Sequence, residues 1–263
     1  MIVAGVDIGA ATAKAVILSD SKVISSSIIP TGYSVAKAAE AVIQGALAKS
    51  GFSVDRLEYV ISTGYGRRAV PFANKALTEI ICHAAGVSSL MLQARTIIDI
   101  GGQDSKVIGL GDDGNVSNFV TNDKCAAGTG RFLEVMAGVL GVEVSEMGTI
   151  SLLGQEPCQI TSICTVFAES EMISLRAEGK SRENILAGIH KALAHRIAIM
   201  GQSIGFREKV AFTGGVAKNV GIRKALEHEI GLKILVPKEP QIIGALGAAI
   251  LAKTELASLT ELG

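Results

Sequence analysis

Two stretches of the chain carry the same pattern of apolar and polar positions. VDIGAATAKAVIL (6–18) and IDIGGQDSKVIGL (98–110) are each an apolar run broken once by Asp-Ile-Gly and once by Lys. Each copy predicts an apolar strand, a tight glycine turn carrying an acid, and a second strand. Laid over one another at a constant offset of 92 residues, the Asp, Ile, Gly, Lys and final Leu coincide. Such a repeat predicts two similar halves facing a shared cleft. The first hairpin continues into Lys22–Pro30 as a third antiparallel strand. Residues 34–50 then read as an Ala-rich helix, 57–63 as a strand ending in Thr63-Gly64-Tyr65-Gly66, and 76–92 as a helix. The second half restarts with a strand at 96–100, its hairpin and a strand near 116–121. Over 182–204, Ile185, Leu186, Ile189, Leu193, Ile197 and Met200 recur at helical spacing. A strand at 209–212, a helix from about Asn219, a strand at 232–236 and a closing helix over 241–253 complete an alternating α/β chain. The expected division is residues 1–94 plus 240–263 as one subdomain and 95–239 as the other.

Composition narrows the class without naming a function. At 263 residues, with 48% hydrophobic and 19% charged, the chain is expected to pack as a globule. Twenty-five Lys and Arg balance 25 Asp and Glu, which argues against nucleic acid and gives no sign of an anionic membrane partner. No apolar run approaches the roughly 18–20 residues of a membrane span, and Asp7 and Lys14 interrupt any leader-like start, so a cytoplasmic location is the default. Cys82, Cys125, Cys158 and Cys164 form no CxxC pair and do not resemble a secreted disulfide framework.

Three glycine turns follow short apolar strands, at Asp7–Thr12, Asp99–Asp104 and Thr213–Val216. Glycine after a strand is usually only a turn, so one instance is weak and three in order are specific. A glycine turn lets backbone N–H groups approach phosphate, and an Asp beside it can hold hydrated Mg²⁺. The set resembles the sugar kinase, Hsp70 and actin (ASKHA) superfamily, which implies duplicated ribonuclease H-like subdomains around ATP or ADP. On that resemblance Asp7 and Asp99 organise Mg²⁺ through water, and Gln103 or Asp104 positions the attacking water. Gly9, Ala10, Ala11, Thr12, Ala13 and Lys14, with Gly101 and Gly102, surround phosphate, and Gly214, Gly215, Val216 and Asn219 lie against adenosine. Gly128, Thr129 and Gln241 join the expected nucleotide site. Lys14 and Lys106 could neutralise phosphate, although a solvated strand lysine is the commoner reading. Where the superfamily places Ser or Thr after the first Asp-x-Gly, this chain has Ala10 and Ala11.

NDKCAAGTGRF (122–132) and CTVFAESE (164–171) each place a cysteine before a segment of helical character. A helix N-terminus favours a thiolate, while two core cysteines remain the plainer reading of the spacing. Together with DIGGQD, STGYGR (62–67), TGGVAKN (213–219) and GALGAA (244–249), the cysteine motifs resemble the ATP-dependent activators of 2-hydroxyacyl-CoA dehydratases and benzoyl-CoA reductases. That resemblance spans nearly the whole chain. It implies a homodimeric electron-transfer ATPase with one 4Fe-4S cluster shared between subunits on Cys125 and Cys164. It also implies ferredoxin or flavodoxin as donor and an acyl-CoA dehydratase or reductase component as acceptor. Two thiols per chain complete a four-thiolate site only in a dimer. The alternatives are a small-molecule kinase of N-acetylhexosamine type without a cluster, and a non-catalytic nucleotide sensor. Cys82 is expected to be packed and Cys158 partly exposed. The four histidines show no ligand pattern, and Tyr65 and Arg67 are expected either at a ligand or shaping their loop.

Overall fold

The computed structural model describes residues 1–20, 22–161 and 164–261. The strands are β1 (Ile2–Ile8), β2 (Thr12–Ser19), β3 (Lys22–Pro30), β4 (Tyr59–Thr63), β5 (Lys75–Ala76), β6 (Thr96–Ile100), β7 (Ser105–Leu110), β8 (Val116–Asn122), β9 (Val210–Thr213) and β10 (Ile234–Leu235). The helices are α1 (Val35–Ser50), α2 (Glu79–Leu90), α3 (Gly130–Leu140), α4 (Met147–Ser151), α5 (Thr165–Ala177), α6 (Arg182–Gly201), α7 (Val220–Ile230) and α8 (Ile243–Glu261). Two compact units result: residues 1–94, 110–117 and 241–263 form the first, and 95–109 with 118–240 the second.

The first unit is built on a five-stranded sheet in the order β3-β2-β1-β4-β5. Every residue of β1 is buried, which explains why Ile2, Val3, Ala4, Val6 and Ile8 read as a continuous apolar run rather than an alternation. Helix α1 begins where the Ser34 hydroxyl accepts the Lys37 amide, and ends at Gly51 in the left-handed region. Its buried stripe of Ala39, Val42, Ile43 and Leu47 belongs to the same core as β1 and β2. Each of the larger side chains contributes about 1.5–3 kcal/mol by leaving water. Helix α8 packs against β1 and α2, and small residues permit the approach. A Cβ on Gly5 would lie 2.0 Å from the Ala245 carbonyl, and one on Gly247 would lie 1.7 Å from that of Cys82. The apolar period placed this helix over 241–253, whereas it runs on to Glu261. Residues 240–260 are long and apolar enough to cross a membrane by length and composition alone; half of the most apolar window is buried, and Ala245, Ala248 and Ala249 are fully enclosed.

The second unit repeats the sheet, in the order β10-β9-β6-β7-β8. Its core gathers Ile98, Ile100, Phe132, Met136, Met172, Leu186, Ile189, Leu193, Ile197 and Phe212 from β6, α3, α5, α6 and β9. The helical period over 182–204 faces inward as expected, with Ile185, Leu186, Ile189, Leu193 and Ile197 all fully buried. Helix α4, only five residues long and containing Gly and Thr, carries no periodic signal in the sequence. The two sheets therefore share one topology, with antiparallel hairpins β1–β2 and β6–β7 and parallel neighbours β4 and β9.

Candidate nucleotide turns and paired cysteines

Each sheet presents an Asp at the end of its central strand, held in the same register. Asp7 lies opposite Lys14 on the hairpin partner and Thr63 on the parallel strand. Asp99 lies opposite Lys106 and Thr213 in the same way. Both carboxylates are buried, at 6% and 3% exposure, a cost that an unpaired charge could not bear. Lys14 Nζ meets Asp7 Oδ2 at 3.2 Å, and Lys106 Nζ meets Asp99 Oδ2 at 3.5 Å while also pairing with Asp104. The two lysines read in the sequence as phosphate partners or solvated strand residues are therefore the counterions of the turn carboxylates. Thr213 Oγ1 adds a hydrogen bond of 2.8 Å to Asp99 Oδ1.

The turns themselves close alike. Gly9 N donates to Thr12 O at 3.1 Å and Gly101 N to Asp104 O at 2.9 Å. In the first, Ala10 and Thr12 are half-buried, Ala11 is exposed and Ala13 is enclosed; in the second, Gly101, Gly102 and Asp104 are half-buried and Gln103 is exposed. The chain after the parallel strand is also duplicated, which the sequence reading did not recognise. Gly64 and Gly214 follow Thr63 and Thr213 with φ of +90° and +87°. A Cβ on Gly64 would sit 2.5 Å from Asp7 Oδ1, and one on Gly214 would sit 2.9 Å from Asp99 Oδ1. Only glycine allows that backbone to pass so close to the carboxylate. The shared signal was Thr-Gly at the end of an apolar strand.

In the second unit, Gly215 is exposed and Val216 buried in a 3-10 turn, and Asn219 caps α7 by accepting the Ile222 amide at 3.0 Å. Asn219 Nδ2 faces His190 Nε2 at 3.3 Å, and His190 Nδ1 lies 2.8 Å from Ser151 Oγ. Burial lowers the His190 pKa from 6.5 to about 4, so the ring is neutral and accepts from the Asn219 amide. Beside this turn a cavity of about 290 Å³ has walls from Ala217, Val220, Val236 and Pro237 and cations from Lys218 and Arg223. Arg223 Nε is buried and has no hydrogen-bond partner among the described residues, and the recess, with cations beside apolar walls, suits a polar ligand with an apolar face. The sequence reading missed Val220, Arg223, Val236 and Pro237; a cation one turn into the helix after TGGVAKN was the available sign. Gln241, of the first unit, is half-buried in the 3-10 turn Pro240–Ile242.

Cys125 is half-buried and Cys164 exposed, both free thiols. Cys164 is the residue immediately before α5, and Cys125 precedes the 3-10 turn Ala126–Gly128 that leads into α3. In that turn Gly128 and Thr129 are buried, and the Thr129 hydroxyl donates to Ala126 O at 2.7 Å. Helices α3 and α5 pack together, with Arg176 Nη1 donating to Val139 O at 2.7 Å. The start of α3 is tied to the second glycine turn: Gly130 N donates to Gly101 O at 2.9 Å and Arg131 N to Gly102 O at 2.8 Å. The side chain of Asn122 brackets the Cys125 backbone, accepting its amide at 3.2 Å and donating to its carbonyl at 2.8 Å. Cys82 is enclosed on α2, where burial pushes its thiol up to about 12, and Cys158 is half-buried with its thiol pushed up by the same cause. His190 is enclosed and His195 exposed on α6. Tyr65 is exposed, and Arg67 Nη1 turns back to the Gly64 carbonyl at 3.0 Å.

The chain as a whole is similar to proteins of known role. The chain is 45% identical over 252 residues to a 2-hydroxyisocaproyl-CoA dehydratase activator of Clostridioides difficile, covering 95% of this chain and 94% of that one. It is 40% identical over 250 residues to a (R)-2-hydroxyglutaryl-CoA dehydratase activating ATPase of Acidaminococcus fermentans, covering 94% and 95%. The solved structure of the Clostridium difficile activator, which has ADPNP bound, superposes with a TM-score of 0.95 over 100% of this chain and 98% of that one, at 44% identity. The model of the BadF/BadG/BcrA/BcrD ATPase family matches residues 4–252. The chain belongs to the BadF/BadG/BcrA/BcrD ATPase family.

Proposed function

We propose that this chain is an ATP-hydrolysing homodimeric activator that delivers a low-potential electron to an acyl-CoA dehydratase or reductase component, with ferredoxin or flavodoxin as donor. The activator relatives support the role, and the duplicated turns support nucleotide handling. On this reading ATP or ADP binds with Mg²⁺. Asp7 and Asp99 hold the hydrated cation, and the amides of 9–14 and 101–104 hold phosphate. Gln103 or Asp104 orients the attacking water. The adenosine lies against Gly214, Gly215, Val216 and Asn219. Lys14 and Lys106 neutralise the buried carboxylates, and Asp7 and Asp99 would hold Mg²⁺ through its water, the cation supplying charge to offset the phosphates.

Cys125 and Cys164 suit a cluster that two subunits share. Two free thiols at the starts of packed helical segments are half of a four-thiolate donor set. Among the described residues no three His, Cys, Asp or Glu side chains gather as a metal group; on this reading the other two thiolates come from a second chain. A bound 4Fe-4S cluster supplies a one-electron couple whose potential responds to charge, hydrogen bonding and exposure.

One observation carries the coupling of nucleotide to thiol. The carbonyls of Gly101 and Gly102 accept the first amides of α3, the helix that Cys125 leads into. A turn that tightens on phosphate therefore pulls on the segment bearing the ligand sulfur. The test is iron and ATPase measurement on anaerobically purified protein. About four iron per dimer, lost in Cys125→Ala and Cys164→Ala, is expected. A full cluster per monomer, or none, would overturn the reading, and sugar-dependent ATP consumption by a colourless protein would point to a kinase.

A further inference from the structure

Helix α6 places a cation on one of the two candidate ligand sulfurs. Arg196 Nη1 donates to Cys125 Sγ at 3.3 Å, inside the distance at which sulfur accepts from a guanidinium. The arginine is half-buried, and among the described residues no carboxylate pairs with it. Its aliphatic stem lies along the cysteine's turn: a Cβ on Gly128 would meet Arg196 Cδ at 3.3 Å. The helix that carries it is fixed from within, because Leu193, Ala194 and Ile197 on either side are fully buried. With Asn122 bracketing the cysteine backbone, both the main chain and the sulfur of Cys125 have a dedicated partner. The guanidinium thus directs one of its N–H donors at the cysteine sulfur.

We propose that Arg196 is a positioning residue for the Cys125 ligand, holding its sulfur by a charged N–H···S bond and favouring the reduced state of the cluster bound there. This rests on the assignment of Cys125 as a cluster ligand. The physical reason is that one electron taken up adds one negative charge beside a fixed cation, and ligand basicity is set by such neighbours. Arginine suits the task better than lysine, because its planar donors stay aimed and it remains charged at every working pH. The guanidinium's bond is to Cys125, one of the two candidate ligands of the chain, the other being the exposed residue Cys164.

The experiment is an EPR-monitored redox titration of anaerobically purified wild type, Arg196→Gln, Arg196→Lys and Lys224→Gln, with iron content and nucleotide affinity measured on each. Lys224 is an exposed residue of α7 paired with Glu227, and its variant controls for the loss of one positive charge. We expect Arg196→Gln to keep its nucleotide affinity and shift the midpoint negative, by about tenfold in the reduction equilibrium, which is ~59 mV for a one-electron couple. Arg196→Lys should recover part of the shift, and Lys224→Gln should show none. Loss of iron from Arg196→Gln with retention in Arg196→Lys would equally support the role. A full cluster at the wild-type midpoint in Arg196→Gln, or an equal shift in Lys224→Gln, would overturn it. Absence of iron from the wild type would instead overturn the cluster assignment itself.

Discussion

Gly214→Ala isolates the demand that the duplicated turn makes on its backbone. Gly214 has φ +87° and ψ 178°, a region open essentially to glycine alone, where another residue is strained by roughly 1–3 kcal/mol. The added methyl would also stand 2.3 Å from Ile100 O, 2.7 Å from Ile100 C and 2.9 Å from Asp99 Oδ1. Two of these are backbone atoms of a fully buried strand, so the turn must move rather than its neighbour. Overpacking of that kind costs about 1–3 kcal/mol, and the two penalties together come to about 4 kcal/mol. At ~2–4 °C per kcal/mol for a protein of this size, the melting temperature should fall by roughly 8–16 °C. Moving the turn also breaks the hydrogen bond from Thr213 to Asp99, so nucleotide affinity should weaken at least ~10-fold, the equivalent of about 1.4 kcal/mol. Calorimetry and titration with a fluorescent ATP analogue read the two effects. Gly138→Ala is the matched control, since Gly138 is exposed within α3 and its Cβ would meet nothing within 4 Å; it should stabilise by about 0.5–1 kcal/mol. A Gly214→Ala protein that melts and binds like wild type would refute the argument from geometry.

The remaining expectations concern charge. Lys106→Met should destabilise the nucleotide-free protein by ~3–5 kcal/mol in urea unfolding, because Asp99 and Asp104 lose their shared cation in a buried site; Lys14→Met, which leaves one carboxylate alone, should cost less. Burial lowers the His190 pKa from 6.5 to about 4, so its contribution is complete above pH ~6.5 and disappears as pH falls toward 4. Unfolding free energy should drop by about 3 kcal/mol across that window, and His190→Gln should flatten this part of the pH profile. Burial also pushes the Cys82 thiol up to about 12, so in cluster-free native protein it should resist a thiol reagent at pH 8 while exposed Cys164 reacts first. Cys82 should react only in denaturant.

Much of the site was legible because its parts are local. Asp7, Gly9 and Lys14 sit within one hairpin, as do Asp99, Gly101 and Lys106, so a pattern of apolar run, glycine and cation announced both turns. The Lys–Asp pairing could have been inferred from that register, since residues at the two ends of a short hairpin lie opposite one another. Contacts between distant segments were not legible. Thr213 reaches Asp99 across 114 residues and Arg196 reaches Cys125 across 71, and no periodicity in either segment encodes the other. Short elements escaped for a different reason: β5 spans two residues and α4 five, too few for any period to repeat. The cavity beside the third turn required Val236 and Pro237 to fold back beside Val220, a meeting that tertiary packing alone decides.

The closing helix has a consequence for how the protein is made. Strand β1 and helix α2 leave the ribosome long before the surface that covers them both, α8, which begins only at Ile243. The intervening stretch 95–240 belongs almost wholly to the other unit. At a synthesis rate of 5–20 residues per second, the nascent first sheet waits roughly 7–30 s with one apolar face uncovered. The second unit has its whole sheet, β6 to β10, in hand before α8 emerges, so the earlier-made sheet is completed last. A chaperone that shelters this chain during translation should therefore be found on β1 and α2, and should be released when α8 arrives.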